Sequence, residues 1–302
     1  MIKSKISMAV AAVAMSIGVA GPANAFSINA GDFKMSIDNY DAGTTGYGQT
    51  SAYTIQCNTT TSCDIAGLNK APGAATTSNP NADTFGIFSI SSITRISDNS
   101  TYFTKGGGSY LTGVFGNLED HEVATYQLGT VSKTDTKSVG GTFAIYSNTS
   151  DYTPGFGPSA GDLNGTPASY PGITGGVKFL EGIFSQGVLS AFGDTTTTYA
   201  SSYANANLSG AGQAFLDITG GTAASNFQTK SLNDGGGTAA TNYHDLFLDV
   251  TYNDINGAAS KIGWSVTSGG QIKGNAIPEP GVLALVSLAL LGLGLTTRRR
   301  NS

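Results

Sequence analysis

The sequence predicts an all-β body, an antiparallel β-sandwich or jelly-roll-like domain of about ten to fourteen strands. Three observations carry this expectation. Apolar residues recur with period two, as in Phe33, Met35 and Ile37 or Leu246, Leu248, Val250 and Tyr252. Glycine accounts for 42 of the 302 residues, and clusters such as "KGGGSY", "SVGGTF", "NDGGGT" and "SGGQI" fall between apolar runs as turn signals. Away from the two ends, no window carries an amphipathic helix of more than three turns.

The elements follow in chain order. Residues 1–25 read as a secretory signal peptide: Lys3 and Lys5 give the basic start, 6–19 the apolar stretch, and Ala23 and Ala25 an A-x-A site that makes Phe26 the new N-terminus. The exported domain then runs from 26 to 276. "DFKMSID" is its first strand. Export places Cys57 and Cys63, in "CNTTTSC", in an oxidising compartment, where the pair is expected as a disulfide closing a small loop. Such a staple contributes roughly 2–3 kcal/mol. "TFGIFSISSITRIS" puts Phe88 and Ile90, then Ile93 and Ile96, on one face, a strand with a bulge or break. "SYLTGVFG", "EVATYQLGTV" and "GTFAIYS" read as separate strands, and "NLEDHEV" as a solvated turn before Val123.

Residues 147–172 hold four of the nine prolines and almost no aliphatic side chains, which makes them a long loop or an interdomain linker. "VKFLEGIF" is a strand whose inward face would be Val177, Phe179 and Ile183, with Glu181 either a buried acid or the residue where the strand ends or bulges at Gly182. "YASSYANAN" (199–207) is the one internal candidate for a short helix. "QAFLDITGG", "DLFLDVTY" and "SKIGWSVTS" complete the strands, with Trp264 expected in the core.

Charge and chemistry narrow the function. Without Lys3, Lys5 and the three terminal arginines the body has ten basic residues, and without Glu279 it has 19 acidic ones, a net charge of −9. Such a surface repels phosphate backbones, so no nucleic acid partner is expected. The chain has no zinc-protease helix or phosphate-binding loop, and a non-enzymatic role is expected. His121, beside Glu119, Asp120 and Glu122, and His244, beside Asp245, are read as polar residues opening strands. No cofactor is expected. Calcium is the candidate metal, at "DLNG" (Asp162, Asn164) and "DING" (Asp254, Asn256), although both also suit ordinary turns. Loop tyrosines 40, 47, 152, 170, 199 and 203 are candidate sugar platforms.

The C-terminal stretch 277–302 is the most specific. Residues 281–297 are uncharged, and a helix of 17 residues spans about 25 Å, close to a hydrocarbon core of about 30 Å. Arg298, Arg299 and Arg300 would hold its cytoplasmic end. Pro278-Glu279-Pro280, this apolar span and the terminal arginines together resemble the PEP-CTERM sorting signal, and the N-terminal leader fits the same pattern. The resemblance covers about 25 residues. It implies a Gram-negative bacterium, export by the Sec machinery and recognition by an exosortase. It further implies passage through the inner membrane to the cell surface or extracellular matrix. The Thr- and Gly-rich body is loosely similar to the flocculation-associated members, whose setting is biofilm and exopolysaccharide. The expected function is therefore an exported, non-enzymatic matrix protein. A lectin-like module with a sugar or calcium site, and a secreted glycoside hydrolase using Glu181 with Glu119 or Glu122, are the alternatives.

Overall fold

The computed structural model describes residues 31–43, 53–54, 83–128, 130–151, 170, 172–204, 209–254 and 266–276. These form thirteen strands: β1 (Phe33–Gly43), β2 (Tyr53–Thr54), β3 (Asp83–Arg95), β4 (Thr101–Thr104), β5 (Tyr110–Leu128), β6 (Val131–Asn148), β7 (Val177–Ser185), β8 (Tyr199–Ala204), β9 (Gly210–Gly220), β10 (Leu232–Asn233), β11 (Tyr243–His244), β12 (Leu246–Asp254) and β13 (Val266–Gly274). The all-β, antiparallel expectation holds. The two-sheet sandwich does not: one sheet runs β5-β3-β1-β13-β12-β9-β7-β6 and closes where β6 pairs with β5, giving an eight-stranded antiparallel barrel. Strands of 18 and 19 residues supply the cause. A twisted hairpin that long, bent by bulges, coils until its free edges meet.

One stave is built in two pieces. β7 fills the gap between β6 and β9 at one end, pairing with residues 142–147 and 215–220. β8 continues in the same direction, pairing with 133–138 and 210–214. The stretch 199–207 therefore begins as a strand where the sequence suggested a helix. Its Tyr, Ser and Ala find ladder partners on both sides, and these outweigh the weak local helical preference. Residues 186–198 leave the wall between the two pieces.

A bulge and a pair of positive-φ glycines also stand where two turns were expected. "NLEDHEV" lies inside β5, where Asp120 opposes Ser138, Glu122 opposes Lys137, and His121 is the extra residue. "SVGG" lies inside β6, and Gly140 and Gly141 take positive φ (73° and 101°) to kink the strand rather than end it. "SGGQI" likewise falls within β13. The break expected in β3 is present, with Ser91 the extra residue between Ile90 and Ser92.

The barrel is filled by side chains. Phe33, Met35 and Ile37 are buried as the alternation requires, and so are Leu246, Leu248, Val250 and Tyr252. Phe184 is the hub of the interior, with ring centroids 6.1–6.4 Å from Phe115, Phe143 and Tyr199. Mid-strand glycines make room for these rings. A Cβ on Gly113 would lie 2.3 Å from the Phe88 ring, and one on Gly182 would lie 2.6 Å from Phe143. Gly182 thus faces inward with Leu180 and Phe184, whereas Val177 and Ile183 are exposed. Val177 and Ile183 thus reverse the inward face expected for β7, whereas Phe179, the extra residue of a second bulge, packs on the core as expected. The Glu181–Gly182 register shift, by contrast, is where the sequence placed an irregularity.

A helical turn, Ala224–Phe227, is the one α-helical element among the described residues. It plugs one end of the barrel, with Phe227 against Phe33 (5.1 Å) and Phe179 (6.1 Å). Residues 228–245, carrying β10 and β11, continue from this plug as a strap over the outer wall. There Leu232 packs with Phe215 of β9 and Phe247 of β12 in a small second core. Segment 147–172 leaves β6 and returns to β7 across a paired row, Ser147 opposite Val177. Its described ends lie on the outer wall: Thr112 Oγ1 and Asn148 Nδ2 donate to the Ile173 carbonyl (2.9 and 3.0 Å), and Ser89 Oγ donates to Asp151 (3.3 Å). The signal peptide, Cys57, Cys63, Asp162, Asn164, Asn256, Trp264 and the tail from 277, including its expected helix, lie outside the described residues. Among the described residues, no helix is long and apolar enough to cross a membrane.

Candidate functional site

The strap is fastened at a cluster of buried charges, and this cluster is the candidate site. It starts from the alternation of β9, where Leu216 and Ile218 point into the barrel and Phe215 and Asp217 therefore point out. Asp217 collects four donors. Ser185 Oγ donates to Oδ2 (2.6 Å), His244 Nδ1 stands 3.3 Å from the same oxygen, and Lys230 Nζ (2.6 Å) and the Asp245 backbone N–H (3.2 Å) reach Oδ1. Burial alone would raise the pKa of this carboxyl. The hydrogen bonds from His244, Lys230 and Ser185 overcome that and hold it well below the usual carboxylate range.

Asp245, fully buried, accepts the backbone N–H groups of Ile218 (2.9 Å) and Lys230 (2.7 Å), joining β9 to the strap. Asp234 follows β10 and folds back on its own turn, accepting from Gly236 N–H (2.7 Å) and Asn242 Nδ2 (3.1 Å). His244 sits between Asp217 and Asp234, stacked on Phe215 at 4.6 Å and only 3% exposed. Its Nε2 is buried without a hydrogen-bond partner, 3.8 Å from Asp234 Oδ2. Ser185 donates to Asp217 and makes no bond to His244, so the three do not form a nucleophilic triad. Among the described residues, no group of three or more His, Cys, Asp or Glu side chains is placed to hold a metal ion.

A second carboxylate is pinned on the loop that interrupts the β7–β8 stave. Asp194 accepts from the backbone N–H groups of Thr196 and Thr197 and from both hydroxyls, with Lys137 Nζ 3.6 Å away. Burial acts to raise its pKa, but these hydrogen bonds bring it down to about 2.

Inside the barrel, Ile37, Phe88, Phe143, Phe184, Leu216 and Val250 are among the residues lining an apolar cavity of about 40 Å³. Pockets for small-molecule ligands run to roughly 300–1,000 Å³, so this interior is a packed core with a small residual void.

The sequence-derived candidates disperse over the fold. Glu181 lies on the outer side of β7, paired with Lys178. Ala144 of β6 stands opposite Glu181, and Val139 stands opposite Glu119. The backbone rows of the proposed hydrolase acids are thus five residues apart along β6, roughly 17 Å at strand spacing. Asp254 ends β12 opposite Val266. Tyr170 and Tyr199 are buried and Tyr203 packs on the core, so they are not open platforms. Among the described residues the exposed aromatics are instead Tyr102 (56%), with the Arg95 guanidinium 5.2 Å from its ring centre, and Phe192 (63%). The sequence singled out His244 and Asp245 in this cluster but not Asp217, Asp234 or Lys230. An acid standing alone on the outward parity of β9, beside Phe215, was the signal available.

No protein-family model matches this chain, and neither a curated protein nor a solved structure does.

Proposed function

We propose that this chain is an exported, non-enzymatic module of the bacterial cell surface or extracellular matrix. An exosortase would sort it, and it would act with exopolysaccharide in biofilm or floc formation. The observation that carries the proposal is the C-terminal tail, Pro278-Glu279-Pro280 followed by an uncharged span and three arginines, together with the N-terminal leader. The shape of the body is consistent with it. A barrel closed by the β5–β6 pairing leaves few open strand edges, which guards a secreted protein against edge-to-edge aggregation. The clustered carboxylates accept backbone and side-chain donors that fasten the strap, as in a scaffold. Low charge density with many Ser, Thr and Asn side chains suits contact with neutral, hydrated polymer.

In this reading Glu279 is part of what the sorting enzyme recognises. Glu279→Ala is expected to leave the protein unprocessed in the membrane fraction, while the wild-type chain reaches the surface or medium. Release of Glu279→Ala equal to wild type, by fractionation and immunoblot, would show that the triplet is not read.

A further inference from the structure

We propose that the plugged end of the barrel rests on phospholipid headgroups while the tail is still in the membrane, an inference that builds on reading 281–297 as a membrane span. Two observations carry it: where the chain leaves the body, and how charge is laid out along the barrel.

The body begins and finishes at the plugged end. Phe33 at the start of β1 stands opposite Gly274 at the end of β13, and Asp32 N–H donates to Asn275 Oδ1 (2.9 Å). Asn275 Nδ2 donates in turn to Ser231 Oγ of the strap (2.8 Å), which fixes the exit point. Ala276 is the last described residue, and the span starts at Gly281. An extended chain covers about 3.6 Å per residue, so this end of the barrel stays within about 18 Å of the span.

The residues at that end suit a phospholipid surface. Lys34, Arg95, Lys105, Lys178, Lys230 and Lys273 all lie in the plugged half. Asp32 and Asp98 pair with Arg95, Asp151 with Lys105, Glu181 with Lys178 and Asp217 with Lys230. Lys34 and Lys273 stand directly opposite each other on β1 and β13, next to the exit. Like charges in that position repel, and a lipid phosphate between them would offset the repulsion. In the other half the register places Asp83, Glu119, Asp120, Glu122, Asp135 and Asp254, with Lys133 and Lys137 as the bases among the described residues. An anionic surface therefore attracts one end and repels the other. The exposed side chains of Ile96, Tyr102 and Val177 also lie at the plugged end. A tyrosine with a guanidinium over its ring, as Tyr102 has, suits the headgroup layer, where apolar and polar contacts meet.

The test uses the full chain, exported in a host without the sorting enzyme and reconstituted in nanodiscs of phosphatidylcholine and phosphatidylglycerol. A lipid with a gadolinium-chelating headgroup then reports proximity through amide relaxation. Strand spacing puts amides 96–102 and 131–137 tens of Å apart, so the first set should show at least about tenfold greater enhancement. Raising the salt to about 0.5 M, or replacing the pair by Lys34→Gln with Lys273→Gln, should cut that enhancement about threefold. A chain that enters the disc but shows equal enhancement at both ends, or more at 131–137, would overturn the inference and leave the span reading intact. So would an enhancement that salt or the lysine substitutions leave unchanged. A chain that does not enter the disc would overturn the reading of 281–297, and this inference with it.

Discussion

The inside of the barrel and the strap on its outside are held by opposite means. Inside, Phe88, Phe115, Phe143, Phe184 and Tyr199 pack ring against ring over inward glycines, with no charge among them. Outside, the strap buries its own small core, but Asp217, Asp234, Asp245, Lys230 and His244 fix its position through hydrogen bonds. The first mode depends on shape and water exclusion and is indifferent to pH. The second depends on protonation and directs a specific segment to a specific place. The difference separates a barrel held by packing from a segment held by directed hydrogen bonds.

The largest effect should come from the barrel hub. Phe184→Ala removes the ring that touches three others, and its cost is expected at about 3–5 kcal/mol in denaturant unfolding, spread over the whole barrel. A loss confined to one strand by hydrogen exchange would break the comparison. Asp245→Ala leaves the Ile218 and Lys230 N–H groups without acceptors, at a cost of about 2–3 kcal/mol. Here the damage should be local, with strap amides exchanging faster while β1, β3 and β13 stay protected.

Acid should give the smallest effect, and again on the outside. Its hydrogen bonds bring the Asp194 carboxyl down to about 2, below the ordinary aspartate range. Its folded pKa lies below the unfolded one, so its stabilisation is complete above about pH 4 and is lost as pH falls towards 2. Asp217, lowered in the same direction, adds to the loss. Melting followed between pH 5 and 2 should show loop 186–198 and the strap loosening before the barrel, and Asp194→Asn should flatten part of that dependence.

The same contrast decides what could be read from the sequence. Inward faces of single strands were legible wherever alternation was unbroken, as in Phe33, Met35 and Ile37, because burial on one face writes period two directly into the chain. β7 was misread because its inward position is Gly182, a residue with no apolar signature, while Ile183 faces out. Closure into a barrel was hidden because it rests on the β5–β6 ladder continuing through His121 and through Gly140–Gly141, both of which look like turns locally. The charge cluster was half visible. Asp217 and His244 lie 27 residues apart, and no local pattern links them. Only the strap's return across β9 brings them together.

The proposed export and sorting are the centre of the functional account, and they would leave a covalent record at both ends of the chain. The direct test is the intact mass of the protein recovered from the surface or culture medium. A mature chain that begins at Phe26 and lacks the apolar span 281–297 is the predicted result. A surface or medium form that retains residues 1–25, or that runs intact to Ser302, would contradict it.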